Sequence, residues 1–172
     1  MKNLIVGNSL AVLPVIKKLR EEDRDGSITL FLTENLMPYE RHLLPTMLSG
    51  SIKEAAVHHG VDHFLKENGV EVIHNEKLAR ISVKRKHLTT EKKTQISYQR
   101  LFMLETGELI LPLIKGHQRL GVFDCLKLSS MKAIMKQVNF IDHVAVSVTT
   151  VQGLNVACAL KQLNKEVFVQ LR

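Results

Sequence analysis

A single stretch decides the fold of this 172-residue chain: NLIVGNSLAVLPVIKKLREEDRDGSITLFLTE, residues 3–34. Its run of Leu4, Ile5 and Val6 is apolar and stops at Gly7, which is typical of a buried parallel strand that ends in a tight turn. Apolar residues at helical spacing then predict a helix, and ITLFL at 28–32 predicts a second strand. Strand, helix and strand fit within about the 30 residues of one βαβ unit. The apolar positions of the helix are Leu10, Leu13, Val15, Ile16 and Leu19.

The turn at Gly7 is where a nucleotide cofactor is expected. A right-handed crossover puts the helix N-terminus above the carboxyl end of the first strand, where backbone N–H groups and the helix dipole favour a pyrophosphate. The dinucleotide fingerprint GxGxxG is represented by GNSLAV, residues 7–12, which keeps the first glycine. Ser9 and Val12 occupy the other glycine positions, and Pro14 lacks an N–H. The turn residues expected to line a cofactor are Gly7, Asn8 and Ser9.

Glu34 ends the second predicted strand, about 20 residues after the turn, where the fingerprint places an acid that binds a ribose. The alternative is that Glu34 only ends a strand. Both interpretations stay open at the level of local sequence, because many strands end in a polar residue.

Composition indicates an ordinary soluble globular protein. The 172 residues are 45% hydrophobic and 24% charged, which suits one domain, or one and a fraction. No apolar run reaches the roughly 18 residues of a membrane span, and no secretory leader precedes the first strand. We therefore expect a cytoplasmic protein without a membrane segment. Lys and Arg number 24 against 17 Asp and Glu, a charge of +7 that suits a polyanionic partner or a plain basic surface.

Redox and metal chemistry receive little support from the side chains. Cys125 and Cys158 have no CxxC or CxxxxC spacing, so neither a disulfide framework nor a redox pair is expected, and both are predicted to be buried. His58, His59 and His63 invite a metal interpretation, but no HExxH motif or third ligand accompanies them. We expect no metal site and no catalytic residue.

The segment PYERHLLPTMLSG, residues 38–50, makes the interpretation more specific. It resembles the PYxRxxLSxxLSG segment of the FAD-dependent pyridine nucleotide-disulfide oxidoreductase family, notably its nitrite-reductase, rubredoxin-reductase and ferredoxin-reductase branch. In that family the arginine of the segment lies against the FAD pyrophosphate, and Arg41 matches it. Pro45 replaces the usual serine.

Two further segments resemble the same family. YQRLFMLETG, residues 98–107, followed by PLIKG at 112–116, resembles the family's YDKLxLATG…PPIKG. The resemblance implies that Thr106 and Gly107 run against FAD, whereas Glu105 departs from the family's alanine. The phosphate loop of the family's NAD domain aligns on residues 148–153, where Gly153 is the remaining glycine, so NAD(P) binding is expected to be weak or absent.

Between these segments, alternating apolar and polar residues over 76–98 predict an antiparallel meander. Its turns carry KRKH at 84–87 and EKK at 91–93. No aromatic residue is interleaved for base stacking, so nucleic-acid binding is not expected.

The sequence thus predicts an α/β protein: a Rossmann-like FAD-type domain with a meander over 1–116, then a partial NAD-type strand–helix–strand unit over 117–172. Two functions remain open. One is an oxidoreductase that passes electrons from NAD(P)H through FAD to an acceptor and that is incomplete alone. The other is a catalytically silent, cofactor-free descendant that binds protein. Because the resemblance covers only the front of the family, a homo-oligomer or a completing chain is expected.

Overall fold

The computed structural model describes residues 1–104 and 115–171. The elements up to Met103 are β1 (Lys2–Val6), α1 (Val12–Glu22), β2 (Ser27–Phe31), a 3-10 turn (Arg41–Leu43), α2 (Leu44–Leu48), α3 (Glu54–Val57), α4 (Val61–Glu67), β3 (Val70–Ile73), β4 (Leu78–Ser82), β5 (His87–Thr90), β6 (Gln95–Ser97) and β7 (Arg100–Met103). The later elements are α5 (Leu128–Gln137), a 3-10 turn (Val138–Phe140), β8 (His143–Val148), α6 (Val151–Gln162) and β9 (Glu166–Leu171).

Internal contacts group the chain into two compact units. The first consists of Met1–Tyr39 and His58–Gly107, and the second of Glu40–Val57 and Glu108–Arg172. The segment around α2 and α3 thus groups with the later part of the chain. The domain boundary expected near residue 116 stays a prediction.

The sheet of the first unit has the parallel topology that the sequence predicts. Within the described residues the strand order is β3-β2-β1-β7, and each neighbouring pair is parallel. Val6 pairs with Phe31 on one side and Met103 on the other, so the carboxyl ends of these strands lie side by side. The predicted Rossmann-like fold is confirmed, because a parallel sheet of this order places the turn after β1 between two neighbouring strand ends.

Both faces of this sheet are covered. On one face Ile5 of β1 packs with buried residues of α1 and α4, including Ile16 and Leu65. On the other face Leu4 and Val6 pack against the antiparallel β4-β5-β6 meander. Each fully buried aliphatic side chain contributes about 1.5–3 kcal/mol relative to exposure. Coverage on both faces explains why the parallel strands read as continuous apolar runs.

Helix α1 begins at Val12, two residues later than the apolar pattern predicted. The N–H groups of Val12 and Leu13 bond instead to the carbonyls of Ser9 and Leu10, forming a turn before the helix. Pro14 then falls in the first helical turn, where a backbone N–H has no intrahelical acceptor, so the helix tolerates it. Val12 is fully buried, so the position of the family's third glycine is here part of the core.

The segment between Ser51 and Gly69 contains two short helices. Helix α3 ends at Val57 and α4 starts at Val61, because His59 has φ 47° and Gly60 has φ 68°. Left-handed backbone at consecutive residues interrupts a right-handed helix. Apolar periodicity across the break does not reveal it, since Val57 and Val61 are both buried.

The second unit contains the predicted second strand–helix–strand unit. Strands β8 and β9 are parallel, with His143 paired to Glu166 and Val148 to Leu171, and α6 packs on both strands and on α2. The buried residues of α6 are Val156, Ala157, Ala159 and Leu160. Leu154, another apolar residue of this helix, is 45% exposed.

Arg20 joins three separate parts of the first unit. Its Nε donates to the carbonyl of Asn68 at 2.7 Å, one Nη to that of Gly26 at 2.5 Å, and the other Nη to that of Gly69 at 3.3 Å. These carbonyls belong to the turns that precede β2 and β3. The planar fork of guanidinium donors suits such divergent acceptors, whereas a lysine ammonium is a single point of charge.

Arg20→Met is expected to lower the free energy of unfolding by about 1–3 kcal/mol, because the part-buried carbonyls of Gly26 and Asn68 lose a charged donor. Arg24→Met is the matched control. The side chain of Arg24 is exposed, and its backbone carbonyl, which accepts from an Nη of Arg20, is unchanged by the substitution. That control is expected to change stability by less than about 0.5 kcal/mol. Urea unfolding followed by circular dichroism measures both. Equal stability of the two variants would show that Arg20 does not join these turns.

Candidate functional site

The turn after β1 has the backbone that a nucleotide site of this fold needs. Gly7 has φ 143°, a value that residues with a Cβ rarely adopt. Its N–H donates to the carbonyl of Phe31 at 3.1 Å, so the turn starts against the end of β2. The predicted requirement for glycine at this position therefore has a conformational reason.

Asn8 ties this turn to the loop after β2. Its side chain is 1% exposed, and Oδ1 accepts from the N–H groups of Thr33 at 2.8 Å and Glu34 at 2.9 Å. Its Nδ2 donates to the carbonyls of Leu36 at 2.5 Å and Glu34 at 3.4 Å. The carboxamide is thus engaged in holding the loop. A direct contact of Asn8 with a cofactor stays a prediction.

The hydroxyl and the carbonyl of Ser9 both accept backbone hydrogen bonds just before α1. Its Oγ accepts from the N–H of Ala11 at 3.2 Å, and its carbonyl accepts from Val12 at 3.1 Å. Leu13 donates to Leu10, as described above, and Pro14 has no N–H to offer. The first turn is therefore stabilised by hydrogen bonds within the protein, and Ser9 itself is half-exposed beside it.

Glu34 is half-buried at the end of β2, and its Oε2 accepts from the hydroxyl of Tyr39 at 3.3 Å. Tyr39 is only 1% exposed, and its N–H donates to the carbonyl of Asn8 at 3.3 Å. The phenol therefore links the carboxylate of Glu34 to the turn after β1. A carboxylate held in this way can still accept hydroxyl donors such as those of a ribose.

Tyr39 is the residue that sequence reasoning missed. Besides its bond to Glu34, it forms a parallel bridge with Ser9, and its ring meets that of His58 edge-on at a centroid distance of 6.2 Å. The Pro38-Tyr39 pair of the family-like segment 38–50 was a signal in the sequence, but only Arg41 of that segment was assigned a role.

The remaining predicted contacts are Arg41, Thr106 and Gly107. Arg41 belongs to the second unit, where it is half-buried and its carbonyl accepts from Gln152 Nε2 at 3.0 Å. Its assignment to the pyrophosphate rests on the family motif alone. Thr106 and Gly107 lie outside the described residues.

The second phosphate-type turn, between β8 and α6, is also closed by a hydroxyl. Thr150 is extended, caps α6, and its Oγ1 accepts from the N–H of Gly153 at 3.4 Å. A Cβ added at Gly153 would lie 3.5 Å from Val148 Cγ1, which is ordinary contact. Close packing of helix on strand therefore does not require glycine at position 153.

The cysteines are separate and differ in environment. Cys125 is half-buried, and burial, together with the Asp124 carboxylate, raises the pKa of its thiol, which disfavours the nucleophilic thiolate. Cys158 is exposed, so the prediction that it is buried was wrong. Helix α6 carries apolar residues around most of its circumference, and the packed face excludes residue 158.

Two other classes of site are absent from the described residues. Residues 1–104 and 115–171 contain no cluster of three His, Cys, Asp or Glu side chains able to hold a metal ion. In the same residues no helix is both long and apolar enough to cross a membrane.

Comparison with known proteins identifies relatives over nearly the whole chain. The profile of the pyridine nucleotide-disulphide oxidoreductase family matches residues 1–172. The chain is 25% identical over 169 residues to an assimilatory nitrate reductase electron transfer subunit of Bacillus subtilis (strain 168), covering 96% of the chain and 22% of that protein. It is 26% identical over 170 residues to a rubredoxin-NAD(+) reductase of Ectopseudomonas oleovorans, covering 98% and 44%.

The fold agrees with solved structures of the same kind. A NAD-dependent persulfide reductase from A. fulgidus superposes with a TM-score of 0.90 at 22% identity, covering 98% of this chain and 34% of that one. A ferredoxin reductase from Rhodopseudomonas palustris gives 0.87 at 20% identity, covering 98% and 42%. At these identities the likeness shows the fold. The chain spans less than half the length of each of these four proteins.

Thr150→Ala is expected to destabilise the second unit by about 1 kcal/mol, because α6 loses the hydroxyl that caps its N-terminus. Thr149→Ala is the control, since Thr149 is also exposed and precedes the cap. Thermal unfolding of both variants provides the measurement. If the two threonine variants melt together, the hydroxyl of Thr150 does not cap the helix.

Proposed function

This chain belongs to the pyridine nucleotide-disulphide oxidoreductase family, and on that premise we propose that it is the FAD-binding portion of a flavoprotein that passes electrons from NAD(P)H to an acceptor. The observation that carries the proposal is that hydrogen bonds join the turn after β1 to the loop after β2. Gly7, Ser9 and Glu34 are gathered there by the hydrogen bonds of Asn8 and Tyr39.

The donors and acceptors of this turn fit an adenine dinucleotide in two respects. Gly7 has the φ that only glycine adopts readily, which keeps the turn tight. Glu34 presents a carboxylate, an acceptor for ribose hydroxyls, at the end of the neighbouring strand. The residues that would hold the cofactor are therefore Gly7 and Ser9 at the pyrophosphate and Glu34 at the ribose.

When bound, FAD supplies the capacity to accept two electrons from a reduced nicotinamide and to pass them on. The residues of this turn contribute binding and orientation. Asn8 fixes the loop that carries Glu34, and Tyr39 fixes the carboxylate itself, so the ribose acceptor is preorganised rather than ordered on binding. Arg41, Thr106 and Gly107 remain proposed FAD contacts through the family motifs.

A catalytically silent descendant is the second candidate, and a specific observation favours it. Both phosphate-type turns carry a hydroxyl where the family pattern has glycine, and each hydroxyl accepts a backbone N–H near the helix start. If these side chains exclude phosphate, neither dinucleotide binds, and the protein acts through protein contacts. The low affinity for NAD(P) that the second turn suggests stays a prediction.

FAD is expected to raise the melting temperature of the purified chain, because a ligand at a hundred times its Kd adds about 2.7 kcal/mol of stability. Glu34→Gln is expected to weaken FAD binding about 10- to 100-fold, since hydrogen bonds to a charged acceptor contribute about 1.5–3 kcal/mol. Equilibrium dialysis against FAD gives both dissociation constants.

Glu21→Gln is the matched control for this experiment. Glu21 lies exposed on α1 and, among the described residues, pairs with Lys18, so its replacement should leave FAD binding unchanged. Absence of FAD binding by the unmodified chain would reject the flavoprotein proposal in favour of the silent descendant.

We further propose that another polypeptide, or a second copy, completes the fold. Within the described residues β9 pairs with β8 alone, and Phe168, Val169 and Leu171 of β9 are 57%, 45% and 75% exposed. An apolar strand edge of this kind favours pairing with another strand.

A dimer or a complex is therefore expected at micromolar concentration in sedimentation velocity, and Phe168→Lys should shift it to the monomer because a charge opposes pairing at the edge. Gln95→Lys, on the exposed side of β6, adds the same charge away from this edge and should have no effect. A monomeric unmodified chain that recovers no partner on pull-down would refute the proposal.

A further inference from the structure

The second unit contains a cleft of about 540 Å³ between α2 and α5. This α2–α5 cleft is lined by residues of α2, α3 and the loop between them, and by Lys132, Met135 and Lys136 of α5. All of its lining residues belong to the second unit, and the turn after β1 contributes none of them. Its volume is in the range of sites that bind small molecules, which are concave, mostly apolar and supplied with a few polar groups.

The uncharged side chains of the α2–α5 cleft are apolar and adaptable. Met47 is 1% exposed, Ile52 and Met135 are half-buried, and all three line the cleft. Methionine side chains are unbranched and polarisable, so they adjust to apolar groups of different shapes. This part of the lining therefore suits the hydrocarbon or aromatic body of a ligand.

The charged side chains of the cleft are mostly positive. Lys53, Lys132 and Lys136 line it together with one carboxylate, that of Glu54. Lys132 Nζ lies 2.6 Å from Glu54 Oε1, so these two charges pair with each other. Lys53 and Lys136 are exposed, and within the described part of the chain neither has an ion-pair partner. Two positive charges of the cleft are therefore left uncompensated.

The spacing on α5 adds a reason for an anion to bind. Lys132 and Lys136 are four residues apart, so they lie on one face of the helix, and like charges at this spacing repel each other. Met135 precedes Lys136 and also lines the cleft. An anionic group at Lys136 offsets the repulsion while an attached apolar group covers Met135. A lysine ammonium is a point charge without the planar fork of arginine, so it accepts carboxylate and phosphate alike.

We infer that the α2–α5 cleft binds a small organic anion, with the apolar body of the ligand against Met47, Ile52 and Met135 and its charged group at Lys53 and Lys136. The inference goes beyond the proposed function, because it uses no residue of the turn after β1 and does not require FAD. Each exposed lysine contributes modestly because water screens its charge, and the apolar contact supplies the rest of the affinity.

Octanoate is the probe for this site, because it joins an alkyl chain to one carboxylate. Titration of the full chain labelled with ¹³C-methyl methionine should shift the methyl signals of Met47 and Met135 and give a Kd. The signal of Met103, which is exposed and does not line the cleft, should stay unchanged. Octylamine has the same chain with the opposite charge, so it should bind about 10-fold more weakly. Acetate lacks the chain and should cause no shift.

Variants separate the two parts of the site. The double variant Lys53→Gln, Lys136→Gln should raise the Kd of octanoate about 4- to 20-fold, because each exposed ion pair contributes about two- to five-fold. Met135→Gln keeps the length of the side chain but adds a polar amide, and should raise this Kd about 3- to 10-fold. Lys161→Gln is the matched control, since Lys161 is exposed on α6 and does not line the cleft. It removes the same charge and should leave the Kd unchanged.

Several results would overturn the inference. Equal Kd values for octanoate and octylamine would mean that only apolar surface is bound, and a Lys161→Gln effect as large as that of the double variant would mean a general effect of net charge. Unshifted signals of Met47 and Met135 would place the probe elsewhere.

If octanoate does not bind at all, the inference is also wrong. If Met135→Gln then abolishes self-association in sedimentation velocity, the occupant of the cleft is a second copy of this chain. None of these readouts uses FAD, so failure of the proposed function leaves the inference standing, and failure of the inference leaves the proposed function untouched.

Discussion

The buried carboxamide of Asn8 is the interaction on which the candidate site depends. It receives the N–H groups of Thr33 and Glu34 and donates to the carbonyl of Leu36, so it joins the turn after β1 to the loop after β2. A buried polar group left without a partner costs about 1–3 kcal/mol. The turn and the loop therefore hold each other in place, and the carboxylate of Glu34 is fixed in the same arrangement.

In both turns of the phosphate-binding type, a residue with a hydroxyl group replaces a glycine of the family pattern. Ser9 and Thr150 each place a hydroxyl oxygen on a backbone N–H near the start of a helix. Glycine at such a position leaves the backbone open to a ligand, whereas a hydroxyl satisfies one of the donors that a helix start leaves unpaired. At both positions a backbone N–H at the start of a helix is therefore satisfied without a ligand.

The second unit combines a confirmed strand–helix–strand connection with exposed apolar surface. Helix α6 covers β8 well, with Val146 and Val148 buried, while most of β9 is exposed. The family relatives are longer than this chain, which covers 22% of one and 44% of another. The exposed apolar residues of β9 are the observation behind the proposed pairing of this strand with another chain.

Local sequence by itself determined the order of elements and the class of the fold. Apolar runs that stop at glycine gave the strands, helical spacing gave α1, and period-two alternation gave the meander, because side-chain direction repeats with the backbone. The dinucleotide fingerprint and its spacing indicated Gly7 and Glu34, and the family-like segment indicated Arg41. Tertiary structure alone decided the later start of α1, the break between α3 and α4, the exposure of Cys158 and the roles of Asn8 and Tyr39. These depend on contacts between residues distant in sequence, such as Asn8 with Glu34, or on left-handed backbone at His59 and Gly60, and neither leaves a periodic trace in the sequence.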